Sequence, residues 1–167
     1  RIGVYFKTKD PTLGITLNVC AMSAGVPDSS KIVASSYLKP SQISVSSNAT
    51  AETAFNFDNL PYLTGGQMYT FFLQPDGNSP EYLVWMAEIG QNDIVTGKQI
   101  FSNPYVGTAF LSANAATWTP LQTEDVKFNI YRSKFTSLIG TATFTEQSDD
   151  YITTTGFNIA NTANPIR

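Results

Sequence analysis

The sequence predicts an all-β fold, an antiparallel β-sandwich of about nine short strands with a jelly-roll-like arrangement. The dominant hydrophobic period is two, as a half-buried strand requires. Gly, Pro, Asp and Asn clusters break that pattern at short intervals, and no helical i, i+3, i+4, i+7 pattern of useful length survives. Short strands at this spacing are the signature of a sandwich.

The elements follow in order. Residues Arg1 to Lys7 set Ile2, Val4 and Phe6 on one face against Gly3, Tyr5 and Lys7 on the other. Asp10-Pro11-Thr12-Leu13-Gly14 turns the chain, and Ile15 to Met22 alternates again with Ile15, Leu17, Val19 and Ala21 on one face. After the break at Gly25-Val26-Pro27-Asp28, Lys31 to Leu38 forms a strand, and Ile43 to Ser46 a shorter one. Gln67 to Gln74 is rich in aromatic and β-prone residues. Pro75-Asp76-Gly77-Asn78 reads as a hairpin turn, since Asp and Gly tolerate tight reversals. That makes Phe71 to Val84 a local pairing, with Glu81 to Glu88 as the returning strand. Lys98 to Phe101 and Tyr105 to Leu111 are short candidates, and Val126 to Arg132 alternates clearly. Residues 1–140 are read as the sandwich. Residues 141–167, with a Thr-rich stretch at Thr141 to Thr145 and another candidate at Tyr151 to Ile159, are read as its last strands or a linker toward a following domain.

At 167 residues the chain has the size of one domain. Folding at that mass leaves a surface of ~8,000 Å² in place of ~26,000 Å², so a core forms without disulfides or a structural metal. The chain begins at Arg1 inside a strand-like pattern, with no initiator Met and no signal peptide, and reads as part of a larger protein. No apolar run approaches the ~20 residues of a membrane span. Ten basic and thirteen acidic residues give a net charge of −3, so no basic stripe exists for nucleic acid or for an anionic membrane surface.

The chemistry available is narrow. There is no His, which removes the commonest general base and zinc ligand. The single Cys, Cys20, excludes an internal disulfide and reads as a small packed hydrophobe. Glu81, Glu88, Glu124 and Asp125 are the carboxylates a glycosidase would draw on. Glu124 and Asp125 are adjacent on a strand and point to opposite faces, so they do not share a site. Asp76-Gly77-Asn78 and Asp149-Asp150 lack calcium-loop spacing. No catalytic residue, metal ligand or cofactor is assigned. The aromatic residues are the other functional candidates. Trp118, near Asn114, and Tyr105, after Asn103-Pro104, would stack on a sugar or contact a partner from loops, whereas Trp85 sits within a strand and is assigned to packing.

Residues 81–135 carry a recognisable series of phrases: Ala87-Glu88-Ile89-Gly90, Thr96-Gly97, Pro104-Tyr105-Val106-Gly107, Ser112 to Pro120 with Thr117-Trp118-Thr119-Pro120, Glu124-Asp125, and Tyr131-Arg132-Ser133-Lys134-Phe135. This segment resembles one that recurs in large tail and baseplate proteins of contractile-tailed bacteriophages, including the baseplate wedge proteins. Phe55-Asn56-Phe57 and Leu63 to Tyr69 fit the strand that precedes it. The resemblance implies a β-sandwich within a long virion protein, used for assembly through contacts with other tail or baseplate subunits. It carries over no catalytic or metal residue. The alternative it leaves is a carbohydrate-binding module that recognises a host surface glycan.

Overall fold

The computed structural model describes residues 1–102 and 107–136. The chain divides into a unit Arg1–Arg132 and a second, Ser133–Arg167. Of the second, residues 133–136 are described and form no strand. The stretches at Thr141 to Thr145 and Tyr151 to Ile159 lie outside the described residues.

Among the described residues of the first unit the named strands all pair antiparallel, and one 3-10 turn lies at Pro40–Gln42. Its strands are β1 (Ile2–Thr8), β2 (Ile15–Ser23), β3 (Val26–Leu38), β4 (Glu52–Phe55), β5 (Tyr69–Pro75), β6 (Leu83–Val84), β7 (Met86–Glu88), β8 (Ala109–Leu111), β9 (Thr119–Leu121), β10 (Glu124–Val126) and β11 (Phe128–Ile130). One sheet runs β11-β1-β4 with β6 beside β1, and the other runs β3-β2-β5. Two ribbons, β7 with β10 and β8 with β9, extend from these.

Alternation builds the core as the sequence predicts. Ile2, Val4 and Phe6 of β1 and Ile15, Leu17 and Val19 of β2 form one buried cluster with Leu38, Ile43 and Phe55. Each fully buried side chain of this kind contributes about 1.5–3 kcal/mol. Phe6 lies at 6.4 Å from the Phe55 ring and meets Tyr82 edge-on at 6.0 Å. All buried described residues fall between Ile2 and Phe72; those that follow are half-buried or exposed.

The expected hairpin between Phe71 and Val84 does not form. β5 pairs with β2, placing Phe71 opposite Val19 and Phe72 opposite Asn18, while Val84 of β6 pairs with Phe6 of β1. Long-range hydrogen bonds explain why the Asp76-Gly77 turn crosses between sheets. The Asp76 N–H donates to the Gly14 carbonyl at 3.0 Å. Its carboxylate accepts from the Gly14 N–H and the Tyr37 hydroxyl, at 3.2 and 2.9 Å. Ser79 donates to Asp10 at 2.6 Å, and the Tyr82 hydroxyl donates to the Leu13 carbonyl. The loop is therefore strapped over the turn between β1 and β2, and delivers the chain from β5 to the other sheet.

Other boundaries also move. β3 starts at Val26, because Ala24 and Gly25, at φ 51° and 82°, complete the reversal, and Pro27 is tolerated on an outer strand. Ile43 to Ser46 makes only a parallel bridge from Val45 to Phe6, and Lys98 to Phe101 only a bridge from Gln99 to Asn92. The alternating run from Val126 divides at Lys127: β10 pairs with β7, and β11 pairs with β1. The Lys127 N–H donates to the Trp85 carbonyl and the Trp85 N–H to the Tyr5 carbonyl, both at 2.9 Å. At that junction β11 takes the place beside β1 that β6 leaves.

Candidate functional site

A cleft of about 1030 Å³ opens along β5, between it, the segment 107–115, and strands β6, β7, β10 and β11. It brings together two of the sequence candidates, Trp118 and Asn114. Tyr105 lies outside the described residues.

Trp118 is half-buried rather than displayed. Its ring meets Phe72 edge-on, with centroids 5.5 Å apart and planes at 62°. Phe72 stands opposite Asn18 on β2, on the face away from Ile15, Leu17 and Val19. Trp118 therefore covers the outer face of the β3-β2-β5 sheet. Its Nε1 is enclosed, with no hydrogen-bond partner among the described residues. The Asn114 carboxamide oxygen accepts from the Ala116 and Thr117 N–H groups at 3.0 and 2.8 Å, so it shapes the turn that delivers Trp118. Trp85 is half-buried; its Nε1 donates to the Ser46 carbonyl at 2.9 Å and Lys7 Nζ lies 5.6 Å over its ring.

The reactive groups are arranged for structure. Cys20 is wholly buried, and burial pushes its thiol pKa up, away from the thiolate a nucleophile needs. Glu124 stands directly opposite Glu88 across the β7–β10 ribbon, while Asp125 faces Ala87; Asp125 borders the cleft and Glu124 does not. Among the described residues no three His, Cys, Asp or Glu side chains gather as a metal site would.

One polar cluster escaped the sequence analysis. The Glu52 carboxylate on β4 accepts hydrogen bonds from Asn129 Nδ2 at 2.8 Å, the Tyr131 hydroxyl at 2.9 Å, and Tyr5 Oη and Arg1 Nη2 at 3.3 Å each. The Arg1 guanidinium lies 4.0 Å over the Tyr131 ring, and Lys127 Nζ 4.5 Å over the Tyr5 ring. Hydrogen bonding, led by Asn129, holds the Glu52 pKa below the usual range. Burial first, and then the Glu52 charge, raises Tyr5. A carboxylate so fully supplied with donors is a poor proton acceptor, and the cluster serves to clamp β4, β1 and β11 together. Its members sit on three strands far apart in sequence, so only the register Tyr5↔Glu52 and Gly3↔Asn129 reveals it.

The fold and these sites define an antiparallel β-sandwich with an open lateral cleft. No known protein family, curated protein or solved structure matches the chain.

Proposed function

We propose that the chain is a structural module of a bacteriophage tail or baseplate protein, working in the virion through contacts with other subunits. The observation that carries this reading is the loop between β4 and β5. There Leu60, Tyr62, Leu63 and Met68 of one loop stand 46% to 85% exposed; exposed apolar side chains that combine into one patch mark an interaction site. The resemblance of residues 81–135 to a segment of tail and baseplate proteins favours the same reading. The mechanism is shape: two packed sheets hold a loop and strand edges in fixed positions for neighbouring subunits.

Peptide mass spectrometry of purified tailed particles from the source of this chain tests the reading. Its peptides are expected in the tail fraction at a fixed ratio to other tail proteins; their absence from the particles overturns it.

The second reading is a glycan-binding host-recognition module, favoured by the meeting of Trp118 and Asn114 in one cleft. The edge-on packing of Trp118 and the commitment of Asn114 to its own turn weigh against it. Glycan-array binding that is lost in Trp118→Ala would reverse the order of the two readings.

A further inference from the structure

The β3-β2-β5 sheet has two outer strands finished in different ways. β3 carries Pro27, Asp28 and Lys31, and its register against β2 shifts twice. These are devices that keep an edge from recruiting another strand. Tyr69 to Gln74 of β5 has no charge, no Pro and an unbroken register against β2.

Two hydrogen bonds fix which groups of β5 are committed. Met22 N–H to the Met68 carbonyl, and Asp76 N–H to the Gly14 carbonyl, both at 3.0 Å, bracket the ladder at either end. Alternation in an antiparallel pair then commits Thr70, Phe72 and Gln74 to β2, and turns the N–H and C=O groups of Tyr69, Phe71 and Leu73 to the other side. No strand among the described residues pairs there; the Phe71 carbonyl accepts a long bond from the neighbouring Thr70 hydroxyl at 3.4 Å, which an incoming strand would displace. Pro75 falls at the same parity and, having no N–H, ends the available run.

That open edge borders the cleft. Phe71, Leu73, Val84 and Val126 reach the core from it and are only partly buried. Among the described residues, the only charged side chains bordering it are Asp76 and Asp125, both acidic. Trp118, whose enclosed Nε1 has no partner among the described residues, also borders the cleft, from the outer face of the sheet.

We propose that β5 receives an added strand from another polypeptide, an extended segment with apolar side chains at alternate positions and Lys or Arg at its ends, paired along Tyr69 to Leu73. The unpaired edge asks for a main chain with the repeat of a strand. The half-covered floor asks for apolar side chains at every second position. The two aspartates, without a basic residue beside them in the cleft, ask for positive charge. This rests on the assembly reading and names one of its contacts.

The test titrates the full 167-residue chain with the labelled peptide KTVTVTVTK. Its Asp-ended counterpart DTVTVTVTD and the scrambled KTTVVVTTK are the controls. Fluorescence anisotropy gives affinity and amide hydrogen exchange gives position. The Lys-ended alternating peptide is expected to bind about tenfold tighter than either control, and to slow exchange at the Phe71 and Leu73 amides by about tenfold or more. Absence of binding, equal binding of the three peptides, or binding that leaves those two amides unchanged overturns the proposal. So does protection of both amides before any peptide is added, which in a sedimenting dimer assigns the edge to a second copy and in a monomer to the chain itself. Failure here, with the chain present in tail particles, removes the strand site alone; absence from the particles removes the assembly reading whatever the peptides do.

Discussion

The Glu52 carboxyl lies over Gly3: a β-carbon built on Gly3 would stand 2.2 Å from Glu52 Cδ. Only a residue without a side chain at that point of β1 lets Glu52 reach Tyr5, Asn129 and Tyr131. Gly3→Ala is expected to lower the unfolding free energy by about 1–3 kcal/mol, the usual range for overpacking a filled site. Urea denaturation measures it. If displacement of Glu52 is the cause, Glu52→Ala costs much less in the Gly3→Ala background than alone.

Acid should weaken the fold. Asp10 is held well below the usual carboxylate range, first by the Ser79 hydroxyl and then by the Leu13 and Thr12 N–H groups. Ser30, Ser23 and Lys31 do the same for Asp28, and Asn129 leads for Glu52. A depressed folded-state pKa means the folded state favours the ionised form. The resulting stability is present above the unfolded value, about 4, and is lost as pH falls through the folded values. Urea midpoints measured from about pH 6 down to about pH 2 are expected to fall mainly below about pH 4. Asp10→Asn should flatten that limb, and an unchanged limb would show that Asp10 does not contribute to it.

Glu88 and Glu124 oppose each other in the β7–β10 ribbon. Like charges at directly paired positions repel, so Glu124→Lys is expected to raise stability by about 0.2–1 kcal/mol. The gain should shrink as added salt screens the pair. Asp125→Lys is the control, because its partner Ala87 has no charge; an equal gain there would attribute the effect to net charge.

What was legible in the sequence was whatever depends on near neighbours. Period two placed Ile2, Val4, Phe6, Ile15, Leu17 and Val19 in the core because strand faces are set by local geometry. It could not show that Tyr5, on the opposite face, is also buried, since Glu52 and Asn129, which meet its hydroxyl, come from distant segments. The Asp76-Gly77 turn was misread for the same reason: its local chemistry suits a hairpin, but Gly14, Tyr37 and Asp10 claim the loop from elsewhere in the chain. At the candidate site, Trp118 and Asn114 are close in sequence and border the same cleft. The open edge of β5 was hidden, because it depends on β5 pairing with β2 on one side alone.

Trp118 offers the sharpest separation of packing from hydrogen bonding. Its ring covers Phe72, and the burial of its Nε1 with no partner among the described residues sets an unfavourable desolvation against a favourable contact. Trp118→Phe keeps an aromatic ring against Phe72 and removes the stranded N–H, so stability is expected to hold or to rise by up to about 1 kcal/mol. Trp118→Ala removes the ring as well and is expected to cost about 2 kcal/mol, less than a fully buried Trp because this one is half-covered. Trp85 is the other tryptophan in the chain, so its fluorescence reports urea unfolding in both variants. If Trp118→Phe loses as much as Trp118→Ala, the indole N–H makes a bond that the Phe72 contact does not account for, and the balance described for this side chain fails.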